Sequence, residues 1–281
     1  MSQPATLHGD NIVVRNFKFA LPPDFPRYWH GGRKSLSIFM NTLSILFPEG
    51  ESMFIKSVKE HREFAKNNPE LKRAITAFCA QEGIHTREHQ RYNDMLRAQG
   101  YPIDELEARV RGFIDRGERL LTPRQRLAAT AALEHFTALL GHMVLTNPRL
   151  FEGAHPEMTA LWRWHSAEEN EHKSVAFDVY RAAGGTYGER CRIMAIVTVT
   201  FWTRVMFFQA RMMHADGIAF SPREWHQLFH HLFVEPGGMF EVVKLYFHYY
   251  RPDFHPWQLD NCEVLNAWEN ELATSPVYSR A

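Results

Sequence analysis

Cysteine is scarce in this 281-residue chain: Cys79, Cys191 and Cys262 are the only three, odd in number and widely separated. That pattern argues against a disulfide framework and against a thiolate zinc site, and it points to a reducing, cytoplasmic setting. Net charge is absent too. With 32 acidic and 32 basic residues, bulk electrostatics offers nothing to nucleic acid or to an anionic membrane. No secretory leader is expected, because residues 1–10 lack a basic stretch followed by an apolar run. The most apolar stretch, residues 193–208, is interrupted by Thr198, Thr200, Thr203 and Arg204, with Gln209 just beyond. The ~18–20 clean residues of a bilayer span never accumulate, so no membrane span is expected and the stretch reads as a buried or interfacial helix. Nor does any segment sustain period-two alternation, which leaves almost no sheet.

What is abundant is histidine, 16 residues, and phenylalanine, 21 residues, a composition suited to metal ligation and apolar pockets. A 45% hydrophobic content suffices for one sizeable core. Residues 1–34, with Pro22, Pro23 and Pro26, read as an irregular N-terminal arm. Residues 35–218 read as a helical bundle, and 219–281 as a C-terminal helical extension of the same domain. Within the bundle, a helix over 35–47 is expected to end at Pro48, and a second to run from Gly50 to about Asn67. Pro69 suits the first turn of the next helix, which continues to the stop at Gly100-Tyr101-Pro102, roughly 28 residues or about 40 Å. A helix over 104–121 follows, then one opened by Thr122 as cap and Pro123 at its first position. A single helix is expected over 157–183, closed by Gly184-Gly185, and another over 187–215. Residues 222–250, split by Pro236-Gly237-Gly238, read as a helical hairpin.

Two Glu-x-x-His signatures sit mid-helix: Glu82-Gly-Ile-His85 and Glu169-Asn-Glu-His172. Residues three apart share a helix face, so each segment aims a carboxylate and an imidazole at one point. About one such motif is expected by chance in a chain of this content. Glu152-Gly-Ala-His155 is that accident, since it lies between Pro148 and Pro156 where no helix holds the two side chains on one face. Ferritin-like dinuclear bundles add one Glu from each of the other two helices. Glu51 fits, with Phe54, Ile55 and Val58 following at helical spacing. Glu49 beside Pro48 stays open as an alternative first ligand or a supporting group. Glu134 lies in the apolar run Ala132-Leu133-Glu134-His135-Phe136, where a carboxylate is costly unless it is paired or ligating. His165, four before Glu169, and His89, four after His85, share the ligand faces as further ligands or supporting groups. Glu168 has the alternative spacing to His172, but Glu169 alone has both the preceding and the following histidine.

The fold class is therefore all-α, a four-helix core around a dinuclear metal site with additional C-terminal helices. Carboxylates and imidazoles without thiolates make a hard, anionic site that favours two iron ions, with iron–manganese, manganese or zinc as alternatives. A dry bundle interior suits dioxygen activation on an apolar or aromatic small molecule. The leading expectation is a di-iron oxygenase. The alternative is a metal-dependent hydrolase with a two-metal-activated water. Partners on this reading are the small-molecule substrate and an electron-donor protein, with a homodimer admitted and nucleic acid not expected.

The segments Phe47-Pro-Glu-Gly-Glu51, Gln81-Glu-Gly-Ile-His85 with Arg87-Glu-His89, Glu134-His-Phe-Thr137, Trp164-His-Ser-Ala-Glu-Glu-Asn-Glu-His172 and Val175-Ala-Phe-Asp178 resemble the bacterial family of predicted metal-dependent hydrolases. The resemblance covers most of the chain, from about Arg15 to Trp257. The ligand pattern is also similar to that of the p-aminobenzoate N-oxygenases, di-iron enzymes with an extra imidazole four residues before the second Glu-x-x-His. That resemblance implies Glu82, His85, Glu134, His165, Glu169 and His172 as ligands, with Glu51 as the first. His89 is a departure from the pattern.

Overall fold

A computed structural model describes residues 12–275, 277 and 278. Residues 1–10, where no secretory leader is expected, lie outside them, as do residue 11 of the arm and residues 276 and 279–281 of the extension. The chain runs through α1 (Lys34–Glu60), α2 (Pro69–Ala98), α3 (Ile103–Leu120), α4 (Pro123–Thr146), α5 (Pro156–His172), α6 (Val175–Ala182), α7 (Tyr187–Ala215), α8 (Pro222–Phe233), α9 (Met239–Tyr246) and α10 (Cys262–Thr274). The protein is all-α; among the described residues the sole β pairing is an isolated bridge between His30 and Ala154.

Local chemistry explains the helix starts. Thr122 accepts from the Gln125 N–H while the Gln125 side chain accepts from the Thr122 N–H, a reciprocal cap with Pro123 behind it. Asn68 caps α2 through the Leu71 N–H, and Thr186 caps α7 through the Glu189 N–H. Gly100, at φ +86°, turns the chain out of α2.

Helices α1 and α2 pack along each other, as do α4 and α5, and the two pairs face one another. Two apolar clusters fill the ends of this four-helix core. One gathers Leu43, Leu96, Leu139 and Leu161; the other gathers Phe54, Ile75, Leu127 and Val175. Between them every core helix turns a polar side chain inward. The arm crosses α2 and α5, where Glu88 accepts from the Phe19 N–H at 3.0 Å and Glu157 from the Ala20 N–H at 2.6 Å.

Three boundaries differ from expectation. The helix expected to reach about Asn67 ends at Glu60, and the chain goes on through a short 3-10 turn over Arg62–Ala65. Pro48 does not end a helix but lies inside α1, which runs unbroken for 27 residues. An internal proline forfeits one helical hydrogen bond and costs ~3 kcal/mol; burial of Phe39, Ile45, Phe54 and Val58 along α1 outweighs it. The expected single helix over 157–183 is interrupted at Lys173-Ser174. Lys173 turns inward, donating to Leu259 O and Asn261 Oδ1 at 2.6 Å each, and Trp257 Nε1 donates to Ser174 Oγ at 3.1 Å. Contacts from the distant C-terminal segment thus hold the break, and nothing local to 157–183 announces them.

The apolar stretch expected to be buried or interfacial is α7. By length and composition alone it could cross a bilayer, and 33% of its apolar window is buried within the chain. Its polar groups bond inside the protein: Gln209 is buried and donates to Ser35 O at 3.1 Å.

Candidate metal centre

The inward polar side chains form two adjoining groups. Glu51, His85 and His165 make one, and Glu82, Glu134, Glu169 and His172 the other; in each, the ligand atoms lie within 4.8 Å of one another. All seven residues are buried. Glu169 spans the two groups. Its Oε1 is 3.2 Å from His165 Nε2 and 3.6 Å from His85 Nδ1, while its Oε2 is 3.6 Å from His172 Nε2. Glu82 Oε1 and Glu134 Oε2 lie 3.0 and 3.5 Å from the same His172 nitrogen.

Hydrogen bonds behind the imidazoles fix which nitrogen faces the cluster. Gln81 Nε2 donates to Val13 O and Glu171, so its Oε1 must accept from His172 Nδ1, at 2.8 Å. His172 Nε2 is then the nitrogen turned to the carboxylates. His85 Nε2 donates to Glu168 at 3.0 Å, leaving Nδ1 inward. His165 is set by a longer chain. Asn93 Nδ2 donates to Glu107, so Asn93 Oδ1 accepts from Ser44 Oγ at 3.0 Å. Ser44 Oγ in turn accepts from His89 Nδ1 at 2.9 Å, and His89 Nε2 accepts from His165 Nδ1 at 3.1 Å. His165 Nε2 is thereby left facing Glu169, 3.2 Å away.

Such crowding of acceptors demands positive charge at their centre. Burial, reinforced for Glu51 by Glu82, drives the carboxyls of Glu51, Glu82 and Glu134 above their ordinary range. Glu169 goes the other way: against burial, His165, His172 and His85 hold its carboxyl well below that range. Burial would also discharge His85 and His172, yet Glu168 and Glu169 raise the first and Glu169 and Glu82 the second. His89 is pushed well down by burial and by His165 and His85, as its accepting Nε2 requires. Both oxygens of Glu51, Glu82, Glu134 and Glu169, together with His85 Nδ1, His165 Nε2 and His172 Nε2, have no hydrogen-bond partner among the described residues. Buried polar atoms are rarely left so. Two hard cations between the groups would satisfy them.

The family model described as predicted metal-dependent hydrolase matches residues 13–260, a span holding every residue of both groups. The chain belongs to that family. No curated protein and no solved structure matches it. Membership bears out the resemblance carried by the motifs, and the family's description favours the hydrolytic alternative over the oxygenase reading.

Against this family assignment the remaining candidate residues fall into place. Glu49 is half-buried and pairs with Arg111 at 3.0 Å, away from the cluster, because continuous α1 carries it round to the α3 side. Glu168 and His89 stand behind His85 and His165 as hydrogen-bond partners. Glu152 is exposed, and His155 caps α5 by accepting from the Glu157 N–H at 3.2 Å, so the third motif takes no part. Sequence reasoning missed Gln81, Ser44, Asn93, Glu171 and Arg15. Gln81 directly precedes Glu82, but Ser44 and Asn93 carry no local signal of their role. Arg15 Nη1 lies 2.9 Å from Glu171 and 3.5 Å from Glu168, so the arm closes the outer side of the site.

Proposed function

We propose that the protein is a dinuclear metal enzyme acting on an apolar small molecule. The observation that carries this reading is the set of buried carboxylate oxygens and imidazole nitrogens left without partners at one point in the core. Glu51, His85 and His165 would hold one cation, Glu82, Glu134 and His172 the other, with Glu169 between them. A bound pair supplies Lewis acidity and, for iron or manganese, accessible oxidation states. The chain's own residues orient and desolvate. Gln81, Glu168 and the His89-Ser44-Asn93 relay hold the three imidazoles in one tautomer each. Trp164 stands edge-on 4.8 Å from the His85 ring and Phe78 4.9 Å from His172, excluding water from two sides.

The leading reaction class is hydrolysis, supported by the family's description. Oxidation at a di-iron centre, drawing on an external electron donor, is the second reading. A specific observation favours it: the Phe47 and Trp162 rings stand 4.4 and 6.1 Å from the His165 ring, making an apolar approach suited to dioxygen. Protein purified without added metal would be assayed for bound metals and for turnover of an apolar ester panel, with and without dioxygen. Hydrolysis requires ester turnover indifferent to dioxygen. Oxidation requires two irons per chain and substrate loss that stops when dioxygen is removed. Failure to bind any divalent metal would overturn both.

A further inference from the structure

A cavity of about 160 Å³ lies between α1, α3, α4 and α7. At its inner end Leu46, Phe47 and Thr137 form a wall shared with a second cavity of about 80 Å³, which reaches His165. Phe54 and Thr137 line the larger cavity one helical turn beyond Glu51 and Glu134, and the Phe47 ring on the shared wall stands 4.4 Å from the His165 ring, so the inner end abuts the metal cluster. The lining is mostly apolar, and an apolar cavity of about 150 Å³ accepts a group of roughly six carbons. The two together suit a chain of about eight to ten.

The outer end carries an unbalanced charge. Arg204 of α7 is half-buried, its guanidinium carbon 3.3 Å from the Phe113 ring centroid and Nη1 donating to Thr200 O. Among the described residues no carboxylate pairs with it. The other charges on the same wall are neutralised, Arg126 by Glu60 and Glu118 by Lys56. Arg116 lies close enough to add further positive potential. A planar guanidinium at the rim of a mostly apolar slot is matched by a carboxylate with an apolar tail.

We infer that the substrate class is a medium-chain acyl compound, an ester or amide, bearing a free carboxylate at its far end. Its head lies at Arg204 and its chain runs inward past Phe113 to Phe47, bringing a carbon remote from the head to the metal cluster. This rests on the proposed metal enzyme for its chemistry, but the binding step does not need the metals.

The test therefore uses metal-free protein of the full chain, titrated calorimetrically with decanoate, decanol and decylamine. Decanoate is expected to bind at least tenfold more tightly than either analogue, and Arg204→Gln to remove that preference while Arg204→Lys restores part of it. Gly117→Leu supplies an independent arm: a Cβ at Gly117 meets no atom within 4 Å, and leucine favours the helix, so the variant fills the slot without unfolding α3. It is expected to weaken decanoate at least tenfold. Equal affinity for the three probes, no binding at millimolar decanoate, or wild-type affinity in both Arg204→Gln and Gly117→Leu overturns the inference. Metal uptake, titrated separately on the same preparations, keeps the two readings apart: decanoate binding without metal uptake would sink the metal enzyme and leave the acid site standing.

Discussion

Replacing Glu134 with leucine separates the cost of the metal-free site from its gain on binding. Glu134 is fully buried, neither of its oxygens has a partner, and burial lifts its carboxyl well above the ordinary range. In metal-free protein it is therefore an unsatisfied group whose charged form burial disfavours. Leaving such a group buried costs ~1–3 kcal/mol, which an apolar side chain of similar size recovers. The change leaves His172 its Gln81 bond at Nδ1, 2.8 Å, and the Glu82 carboxyl 3.0 Å from its Nε2. At ~2–3 °C per kcal/mol for a chain near this size, metal-free Glu134→Leu should melt about 2–9 °C above metal-free wild type. Metal at a hundred times its dissociation constant should raise wild type by ~2.7 kcal/mol and the variant by far less. Calorimetric melting of both proteins, each with and without iron(II) or zinc, reads all four states. Exposed Glu152→Leu is the control and should stay within ~0.5 kcal/mol of wild type with its metal response intact. A metal-free Glu134→Leu that melts below wild type, or one that keeps the full metal response, would refute the reasoning.

Three further outcomes follow from the geometry. His89→Gln should weaken metal binding ~10–100-fold by releasing the His165 tautomer, read by competition with a chromophoric chelator; unchanged affinity would remove the relay from the site. Gly141→Ala should destabilise by ~1–3 kcal/mol in urea unfolding, because the new Cβ would stand 2.9 Å from Ser166 O and from Asn170 Nδ2 where α4 and α5 approach; wild-type stability would show the helices can part. Burial, with help from Arg33, depresses His30 to about 3 and His231 to about 4. Their unfolded forms take up protons near pH 6.5 while the folded forms do not. Their stabilisation is thus present above pH 6.5 and lost as pH falls towards 4, by up to ~1.4 kcal/mol per pH unit for each. Urea midpoints measured from pH 7 to 4.5 should fall less steeply in His231→Asn than in wild type, and parallel slopes would contradict the assignment.

Helical periodicity, the Thr122-Pro123 and Pro69 starts and the glycine stops were legible along the chain, because caps and breakers act over a few residues. The two mid-helix Glu-x-x-His pairs were legible for the same reason: spacing alone puts both groups on one face. Apolar neighbours at helical spacing likewise marked Glu51 and Glu134. Tertiary structure alone decided what those faces meet. It carried α1 straight through Pro48, because burial along the whole helix exceeds one lost hydrogen bond, and so sent Glu49 to Arg111 while Glu51 entered the core. Contacts from residues 257–261 parted α5 from α6 just after His172. Ser44, Asn93 and Gln81 acquired their roles from partners tens of residues away, since a tautomer is set by what stands behind the ring. Local sequence determined which side chains each helix could present together; packing across the bundle determined that Glu169 lies between two groups, and which nitrogen of each imidazole faces them.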